Sequence, residues 1–295
     1  MPAYAYTPTS DAAKAVGIEL LRVSEIYRDP VLPHGYGATR MATVTAVVRA
    51  RRLFEAGYAL ADAGNGLEAA VLFRSVFETA LVLGWLKADA ELGFLIWMLD
   101  DQRSTLRDHE NVRRSMRNER ARLRRQGVPV PAVERGMTLG LLTRSNLIRV
   151  RVTIADLERQ IRALPNVHRR LKRLRPTSYP NAKRPIKSNM IDRLPPWSEL
   201  AKVAGLEGIF HLVYGFESRS AVHLYPLGLE QFLETGAAGV VVHSEVQANR
   251  PDPYPVGAAI FALVLEQASE QLADFDLQHE TARLTPQLQG LQMVA

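Results

Sequence analysis

The sequence predicts an all-α protein, an irregular multi-helix bundle around a buried central helix with at most one short strand or hairpin. Apolar residues recur at helical spacing in most segments of the 295-residue chain. Residues 67–85 are apolar around nearly the whole circumference of a helix, which is typical of a helix buried on all sides. Only residues 239–247, around three consecutive valines, suggest a strand. We expect a single domain over residues 1–295, with a basic elaboration over about 103–190.

The composition limits the class of protein. With 47% apolar and 23% charged residues, the chain has the balance of a globular protein and not of a disordered one. The absence of cysteine excludes disulfides, thiolate zinc sites and a cysteine nucleophile, and it fits a reducing compartment. The N-terminal residues lack the basic start and apolar core of a signal peptide. Of the two most apolar runs, Arg74 and Glu78 interrupt the first and the second is too short to cross a bilayer. We therefore expect a cytoplasmic protein with no membrane partner.

The N-terminal third of the chain predicts consecutive helices. A first helix over about 10–29 has apolar residues at helical spacing after a capping Ser-Asp pair. A second helix over 39–63 ends at a Gly-Asn-Gly turn, so the helix over 67–85 should fold back antiparallel on it. A long helix then runs to about residue 125, with a packed first half and a basic second half from about residue 103. The core helices are thus expected over about 39–100 and 198–281.

The rest of the chain alternates helices with proline-rich segments. Residues 137–152 predict a helix, and Thr153 to Asp156 resemble a capping box that would start another. Residues 176–196 contain five prolines and should be extended. The C-terminal part predicts helices over 198–206, 208–226 and 256–281.

Two polar-in-apolar segments form the first candidate site. Arg74 and Glu78 lie one turn apart on the apolar helix, and charges rarely enter such a place without partners. Because base before acid is the weaker order in an isolated helix, at least one of them should reach another segment, and residues 214–225 are the candidate. The candidate ligand-binding residues are Arg74, Ser75, Glu78, Tyr214 and Ser218.

The second candidate site is the basic middle of the chain. Residues 103–187 hold 23 Lys and Arg against 6 Asp and Glu, a net charge of +17, whereas the remainder carries −11. A positive surface attracts polyanions, so RNA or another polyanion is an expected partner. The alternative is that the basic middle lies against the acidic remainder or against a second copy in a homodimer. The candidate nucleic-acid-binding residues are Arg113, Arg117, Arg120, Arg124, Arg169, Arg170, Lys172 and Arg173.

Familiar catalytic motifs are absent from the sequence. It contains no Gly-rich phosphate loop, dinucleotide fingerprint, His-Glu-x-x-His or Gly-x-Ser-x-Gly. Glu207 and His211 are four residues apart and could face one metal, but the further Glu-x-x-His ligands of a helical di-metal site are not found. We expect no metal site and no cofactor.

Short motifs carry two resemblances. The relevant positions are Arg74, Ser75, Glu78, Tyr214, Ser218 or Ser220, His223 and Pro226. This Arg-Ser-x-x-Glu helix and its Tyr…Ser…His segment closed by proline resemble a broad family of uncharacterised bacterial helical proteins, over about residues 39–232. More remotely, Arg219-x-x-x-His223 resembles the Arg-x(4–6)-His signature of the HEPN superfamily, although it is one residue shorter. Many members of that all-helical superfamily cut RNA without metal.

The HEPN resemblance implies a function. A HEPN-like protein would interact with RNA as a metal-independent ribonuclease in a toxin or phage-defence setting, with Arg219 and His223 as its catalytic residues. Two alternatives remain open at this point. One is a non-catalytic helical scaffold whose polar core is structural, and the other is a protein with a small-ligand pocket lined by Arg74, Glu78, Tyr214 and His223.

Overall fold

Helices make up most of the computed structural model, which describes residues 8–32, 37–127, 143–179, 191, 193–214, 233–236, 239–242, 253–269 and 271–272. The predicted all-α class is confirmed, with one short hairpin among the described residues. The helices are α1 (Pro8–Val23), α2 (Ala38–Asp62), α3 (Gly66–Ala88), α4 (Ala90–Arg125), α5 (Arg144–Ala163), α6 (Val167–Leu174), α7 (Trp197–Ala204), α8 (Glu207–Leu212) and α9 (Pro253–Ser269). A 3-10 turn over Ser24–Tyr27 follows α1.

The chain divides into two compact units. Unit 1 consists of residues 1–88 and 197–295, and unit 2 consists of residues 89–196. The basic elaboration expected over 103–190 lies inside unit 2, together with the start of α4, which was expected in the core. The single domain expected over 1–295 stays a prediction, because compact units of one chain can form one domain or two.

Helix α3 is the centre of unit 1, as predicted. It packs against α2, α7 and α9, and every residue from Thr79 to Leu86 is buried. Helix α3 is long and apolar enough to cross a membrane, but most of its most apolar segment is buried against the protein. The core helix of a soluble protein can have the same length and composition. The apolar pattern therefore reflects packing on all sides over Thr79 to Leu86, whereas the side of α3 that carries Val71, Arg74 and Glu78 is partly exposed.

Close backbone approach fixes how the helices of unit 1 cross. A Cβ added to Gly57 of α2 would lie 2.5 Å from the ring of Phe73, and one added to Gly257 of α9 would lie 2.7 Å from the same ring. The ring of Phe54 stacks on that of Phe261 with centroids 4.4 Å apart. Glycine at both crossings lets α2 and α9 approach α3 at the level of one buried aromatic ring.

The hairpin in unit 1 joins β1 (Leu233–Gly236) and β2 (Gly239–Val242). The two strands are antiparallel, with Leu233 opposite Val242. A strand was predicted over 239–247, and its first four residues form β2. Its partner β1 was missed, because Leu233–Gly236 shows no run of β-branched residues.

Unit 2 is built on an antiparallel helical hairpin. Arg103 of α4 pairs with Glu158 of α5, and Arg170 of α6 pairs with Asp89 at the start of α4. Later residues of the α5–α6 segment thus meet earlier residues of α4, as in an antiparallel arrangement. The apolar seam has heptad spacing on α4, which is the spacing of helices packed side by side. The buried seam residues are His109, Met116 and Leu123 on α4 and Val150, Ile154, Leu157 and Ile161 on α5.

Two element boundaries differ from the prediction, and a third lies outside the described residues. The capping box at Thr153 is wrong, because the side chain of Thr143 caps α5 by accepting from the amide of Asn146 at 3.2 Å, and the helix runs through Thr153 without a break. Helix α9 begins at Pro253 and ends at Ser269, earlier than the predicted end at residue 281. The helix predicted over 208–226 is described only as far as Tyr214.

Candidate functional site

The Arg74–Glu78 pair lies on α3 as the sequence indicated. The guanidinium Nε of Arg74 donates to Oε1 of Glu78 at 3.3 Å. The two side chains are 18% and 29% exposed, so the pair lies at the edge of the unit 1 core and not in a sealed interior. One side of the pair is therefore accessible to solvent.

Tyr214 brings the predicted second segment onto this pair. Its hydroxyl donates to Oε1 of Glu78 at 2.6 Å, and the guanidinium carbon of Arg74 lies 4.5 Å from the centre of its ring. Burial of the phenol, followed by its hydrogen bond to the Glu78 carboxylate, raises the pKa of Tyr214. The expected convergence of residues 74, 78 and 214 is therefore present, and we call these three residues the polar trio.

Aromatic rings surround the tyrosine of the polar trio. The ring of Phe210 stacks on that of Tyr214 with centroids 4.6 Å apart, and Trp197 lies 6.4 Å away. Sequence reasoning missed both residues as parts of the site. The signal was available for Phe210, which precedes Tyr214 by four residues in a helical segment and so shares its face.

The two serines predicted at this site stand apart from the polar trio or outside the described residues. Ser75 donates its hydroxyl to the carbonyl of Val71 within α3, at 3.3 Å. Ser218 lies outside the described residues, as do the predicted catalytic residues Arg219 and His223. In the described residues, the site therefore consists of a carboxylate that accepts from a phenol and a guanidinium.

The basic half of α4 carries an open row of arginines. Arg113, Arg117 and Arg124 are exposed, and Arg120 between them is half-buried. Steps of four and three residues place all four on one stripe of the helix, about 16 Å long at 1.5 Å per residue. In the described part of the chain, Arg113, Arg117 and Arg124 form no ion pair, whereas Arg122 on another face pairs with Glu119 at 2.6 Å. We call Arg113, Arg117, Arg120 and Arg124 the arginine row.

Helix α6 holds the other predicted nucleic-acid contacts. Arg169, Lys172 and Arg173 are exposed. Arg170 is only 13% exposed because it grips the carboxylate of Asp89 through two hydrogen bonds of 2.9 and 2.6 Å and also donates to Glu91 at 2.9 Å. This clamp has no signal in the sequence, because its partners are 81 residues apart and each alone resembles a surface residue.

No cluster of three or more His, Cys, Asp or Glu residues that could hold a metal occurs in the described ranges. Glu207 and His211 both lie in the short helix α8, and no third ligand of these types lies beside them among the residues that the structure describes.

Comparison with known proteins gives one match. No curated protein and no solved structure matches the chain. A family model matches residues 40–239, more than half of the chain, close to the 39–232 over which the motifs resemble an uncharacterised helical family. The match includes the three residues of the polar trio and all eight predicted nucleic-acid-binding residues. The chain therefore belongs to the family of unknown function DUF5677.

Proposed function

We propose that the protein binds RNA through the arginine row of α4. The observation that carries this proposal concerns three of its four members: Arg113, Arg117 and Arg124 are exposed and form no ion pair with described residues. Like charges one turn apart repel each other, so an anion that covers these three guanidiniums would relieve their repulsion. Arginine also donates to phosphate through two parallel hydrogen bonds, which suits it to a polynucleotide backbone.

The charge of unit 2 supports the same proposal. Residues 89–196 hold 24 Lys and Arg against 11 Asp and Glu, a net charge of +13, whereas the other residues carry −7. A field of one sign over a whole unit attracts a polyanion from a distance and raises the rate of association. The arginine row then provides the contacts at close range.

The proposed activity on bound RNA is metal-independent cleavage of a HEPN-like kind, in a bacterial toxin or phage-defence setting in the cytoplasm. Cleavage of this kind needs a base to take the 2′-hydroxyl proton and a cation to hold the charge that develops on phosphorus. Histidine is the side chain suited to the first task, because the ordinary pKa of imidazole is near neutral, and arginine suits the second because it stays charged, so His223 and Arg219 are assigned to these tasks. This part of the proposal comes from the sequence alone.

The binding proposal is tested by the salt dependence of RNA affinity. Each phosphate contact that is lost should reduce the slope of log affinity against log salt by about 0.7 for a single strand. Replacing Arg113, Arg117 and Arg124 with Gln should therefore lower the slope by about 2. The matched control replaces Arg122, Arg159 and Arg162, which pair with Glu119, Asp156 and Glu158 and carry the same total charge. An equal fall in the salt slope of the control, or no RNA binding by the parent at low salt, would refute RNA binding through the arginine row.

The cleavage proposal needs a separate experiment. Mixed RNA is incubated with the protein in excess chelator, beside His223→Ala and Arg219→Ala variants that circular dichroism shows to be folded. Cleavage lost in both variants supports the assignment. No cleavage by the parent, or cleavage that survives both changes, contradicts it.

A non-catalytic scaffold or small-ligand-binding protein, monomeric or homodimeric, is the second candidate. The polar trio favours it, since its carboxylate, phenol and guanidinium bind one another, as in a structural polar core. Under this alternative Tyr214→Phe lowers the melting temperature and leaves RNA affinity unchanged. A ligand site would instead lose binding of its ligand with little change in stability.

A further inference from the structure

A cavity opens at the start of α6 in unit 2. Its volume is about 480 Å³, and it is lined by Pro165, Asn166, Arg169, Arg170 and Arg173. This volume lies in the range of small-ligand sites, about 300–1,000 Å³. Three of the five lining residues are arginines, and because the lining surface is mainly apolar, their carbon stems form most of its wall.

The backbone before α6 sets the position of these arginines. Asn166 has a positive φ of 53°, a conformation that asparagine tolerates better than most residues, and it turns the chain sharply between α5 and α6. Its carbonyl accepts from the amides of Arg169 and Arg170 at 2.9 and 3.1 Å. The first turn of α6 is thereby fixed, and steps of four and three residues place Asn166, Arg170 and Arg173 on one face.

The charges around the cavity are only partly compensated. Arg170 is held by Asp89 and Glu91, and the two oxygens of Asp89 accept from Arg170, Arg173 and the amide of Leu92. Arg173 is nevertheless 59% exposed. Arg169 is exposed and forms no ion pair with any residue that the structure describes. Three guanidiniums and two carboxylates leave a net charge of +1, and Arg169 is the guanidinium that forms no ion pair with described residues, while the exposed Arg173 shares Asp89 with Arg170.

We propose that this cavity binds a phosphate group, gripped by Arg169 and Arg173 and walled by the clamped Arg170. A guanidinium suits phosphate because it offers parallel donors to two oxygens, and two such groups one turn apart can hold one phosphate from two sides. The phosphate belongs to a small phosphorylated molecule or to the end of an oligonucleotide. The pocket is distinct from the arginine row, and its test does not depend on RNA binding at that row.

The first experiment uses inorganic phosphate as the probe. Thermal unfolding of the full chain is followed against phosphate concentration at constant ionic strength, with chloride as the reference. A ligand that binds only the folded state raises the melting temperature in a saturable way. We expect saturation in the parent, about tenfold weaker binding in Arg169→Gln, since a hydrogen bond to a charged group is worth about that factor, and loss in Arg169→Gln/Arg173→Gln.

Two variants separate loss of the phosphate site from loss of the fold and from a general loss of charge. Arg169 forms no ion pair with described residues, so Arg169→Gln should leave the fold intact. Arg173→Gln, in contrast, removes a contact with Asp89. Arg159→Gln/Arg162→Gln makes the same change of charge on α5 and should bind phosphate like the parent. No saturable effect of phosphate on the parent, or equal weakening in the α5 control, would overturn the proposal.

The second experiment identifies the source of the phosphate. A nucleoside monophosphate is compared with one short oligoribonucleotide prepared with a 5′-phosphate and with a 5′-hydroxyl. Preference for the 5′-phosphate that Arg169→Gln abolishes assigns the pocket to an RNA end, and saturable binding of the monophosphate alone assigns it to a small molecule. Either supports a phosphate site, whereas binding of neither overturns it. If the cavity binds phosphate but α4 does not bind RNA, phosphate still stabilises the protein, and substitutions in the arginine row do not change the salt slope of RNA affinity.

Discussion

The two compact units are stabilised in different ways. Unit 1 packs aromatic rings between helices whose backbones approach closely, at Gly57 and Gly257 around Phe73. Unit 2 has a narrower apolar seam between α4 and α5, and a charged clamp between Asp89 and Arg170 fastens α6 to the start of α4. The comparison shows how one chain can carry a strongly basic segment, since the core of unit 2 needs only one face of each helix and leaves the other faces to arginines.

The difference in charge follows from the difference in packing. A helix that is buried over most of its surface, such as α3, leaves little room for unpaired charge, so its Arg74 and Glu78 lie on its partly exposed side and bind each other. A helix that is buried along one stripe, such as α4, can carry arginines on its remaining faces. The first kind of unit should depend mainly on buried apolar area and the second also on ion pairs.

The largest effect is expected from Phe73→Ala in unit 1. The ring is fully buried between two glycines, so its removal leaves a cavity and should lower the free energy of unfolding by about 3–5 kcal/mol. Urea unfolding measures the loss, and hydrogen exchange locates it. Val152→Ala is the control, because Val152 is an exposed apolar residue of α5 and its loss should change little. Loss of amide protection in unit 2 as large as in unit 1 would contradict separate packing.

The next effect is expected from Asp89→Asn in unit 2. Asparagine still caps α4, but it leaves Arg170 without its main counter-charge in a site where the Asp89 side chain is only 5% exposed. We expect a loss of about 3 kcal/mol, localised by hydrogen exchange to α4 and α6. Asp156→Asn, which removes an exposed partner of Arg159, is the matched control and should cost well under 1 kcal/mol. Equal effects of the two changes would show that the clamp is an ordinary surface pair.

The same substitution has a defined dependence on pH. Burial alone would raise the pKa of Asp89, but the hydrogen bonds from Arg170 and from the Leu92 amide outweigh it and hold the pKa below its usual value. A carboxyl whose pKa is lowered in the folded state contributes stability above its unfolded pKa, about 4, and loses that contribution as the pH falls further. The difference between the parent and Asp89→Asn should therefore be constant near neutral pH and shrink below about pH 4.

The unit 1 site was largely predictable because its signal is local. An apolar stretch that contains Arg74 and Glu78 demands partners for them, and a second polar-in-apolar segment pointed to Tyr214. The need of a buried charge for a polar partner limited the candidate partners to the few polar residues of that segment. The partner strand β1 was not predictable, since Leu233–Gly236 lacks β-branched residues and becomes a strand by pairing with β2.

The unit 2 clamp could not be predicted for the opposite reason. Arg170 is one of five basic residues in seven positions, and nothing in the sequence distinguishes it from Arg169. The first becomes a structural residue and the second an exposed one because the turn at Asn166 fixes which face of α6 meets Asp89. Charge runs therefore predict a basic surface, but only tertiary contacts decide which members are exposed.

A smaller effect is expected from Tyr214→Phe in unit 1. The change removes one hydrogen bond to a carboxylate and keeps the ring, so the expected loss is about 1.5–2 kcal/mol. Because the pKa of Tyr214 is raised in the folded state, its contribution is complete below the unfolded pKa of about 10 and is lost at higher pH. The difference between parent and variant should therefore shrink above about pH 10. A difference that is zero at neutral pH would contradict a stabilising polar trio.

The smallest effect is one in which the two units should not differ. Gly64 ends α2 in unit 1 with φ 82°, Gly127 ends α4 in unit 2 with φ 68°, and a Cβ at either would meet no atom within 4 Å. The cost of alanine is therefore only that of a left-handed backbone, about 1 kcal/mol at each site. Urea unfolding of Gly64→Ala and Gly127→Ala should give equal losses, although one helix end is near neutral and the other carries Arg122, Arg124 and Arg125. If Gly127→Ala costs clearly more, repulsion among the arginines at the end of α4 adds to the cost of the substitution. Raising the salt concentration should then remove the additional loss of stability. Equal costs that do not change with salt would confine the contrast between the units to their cores and to the Asp89 clamp.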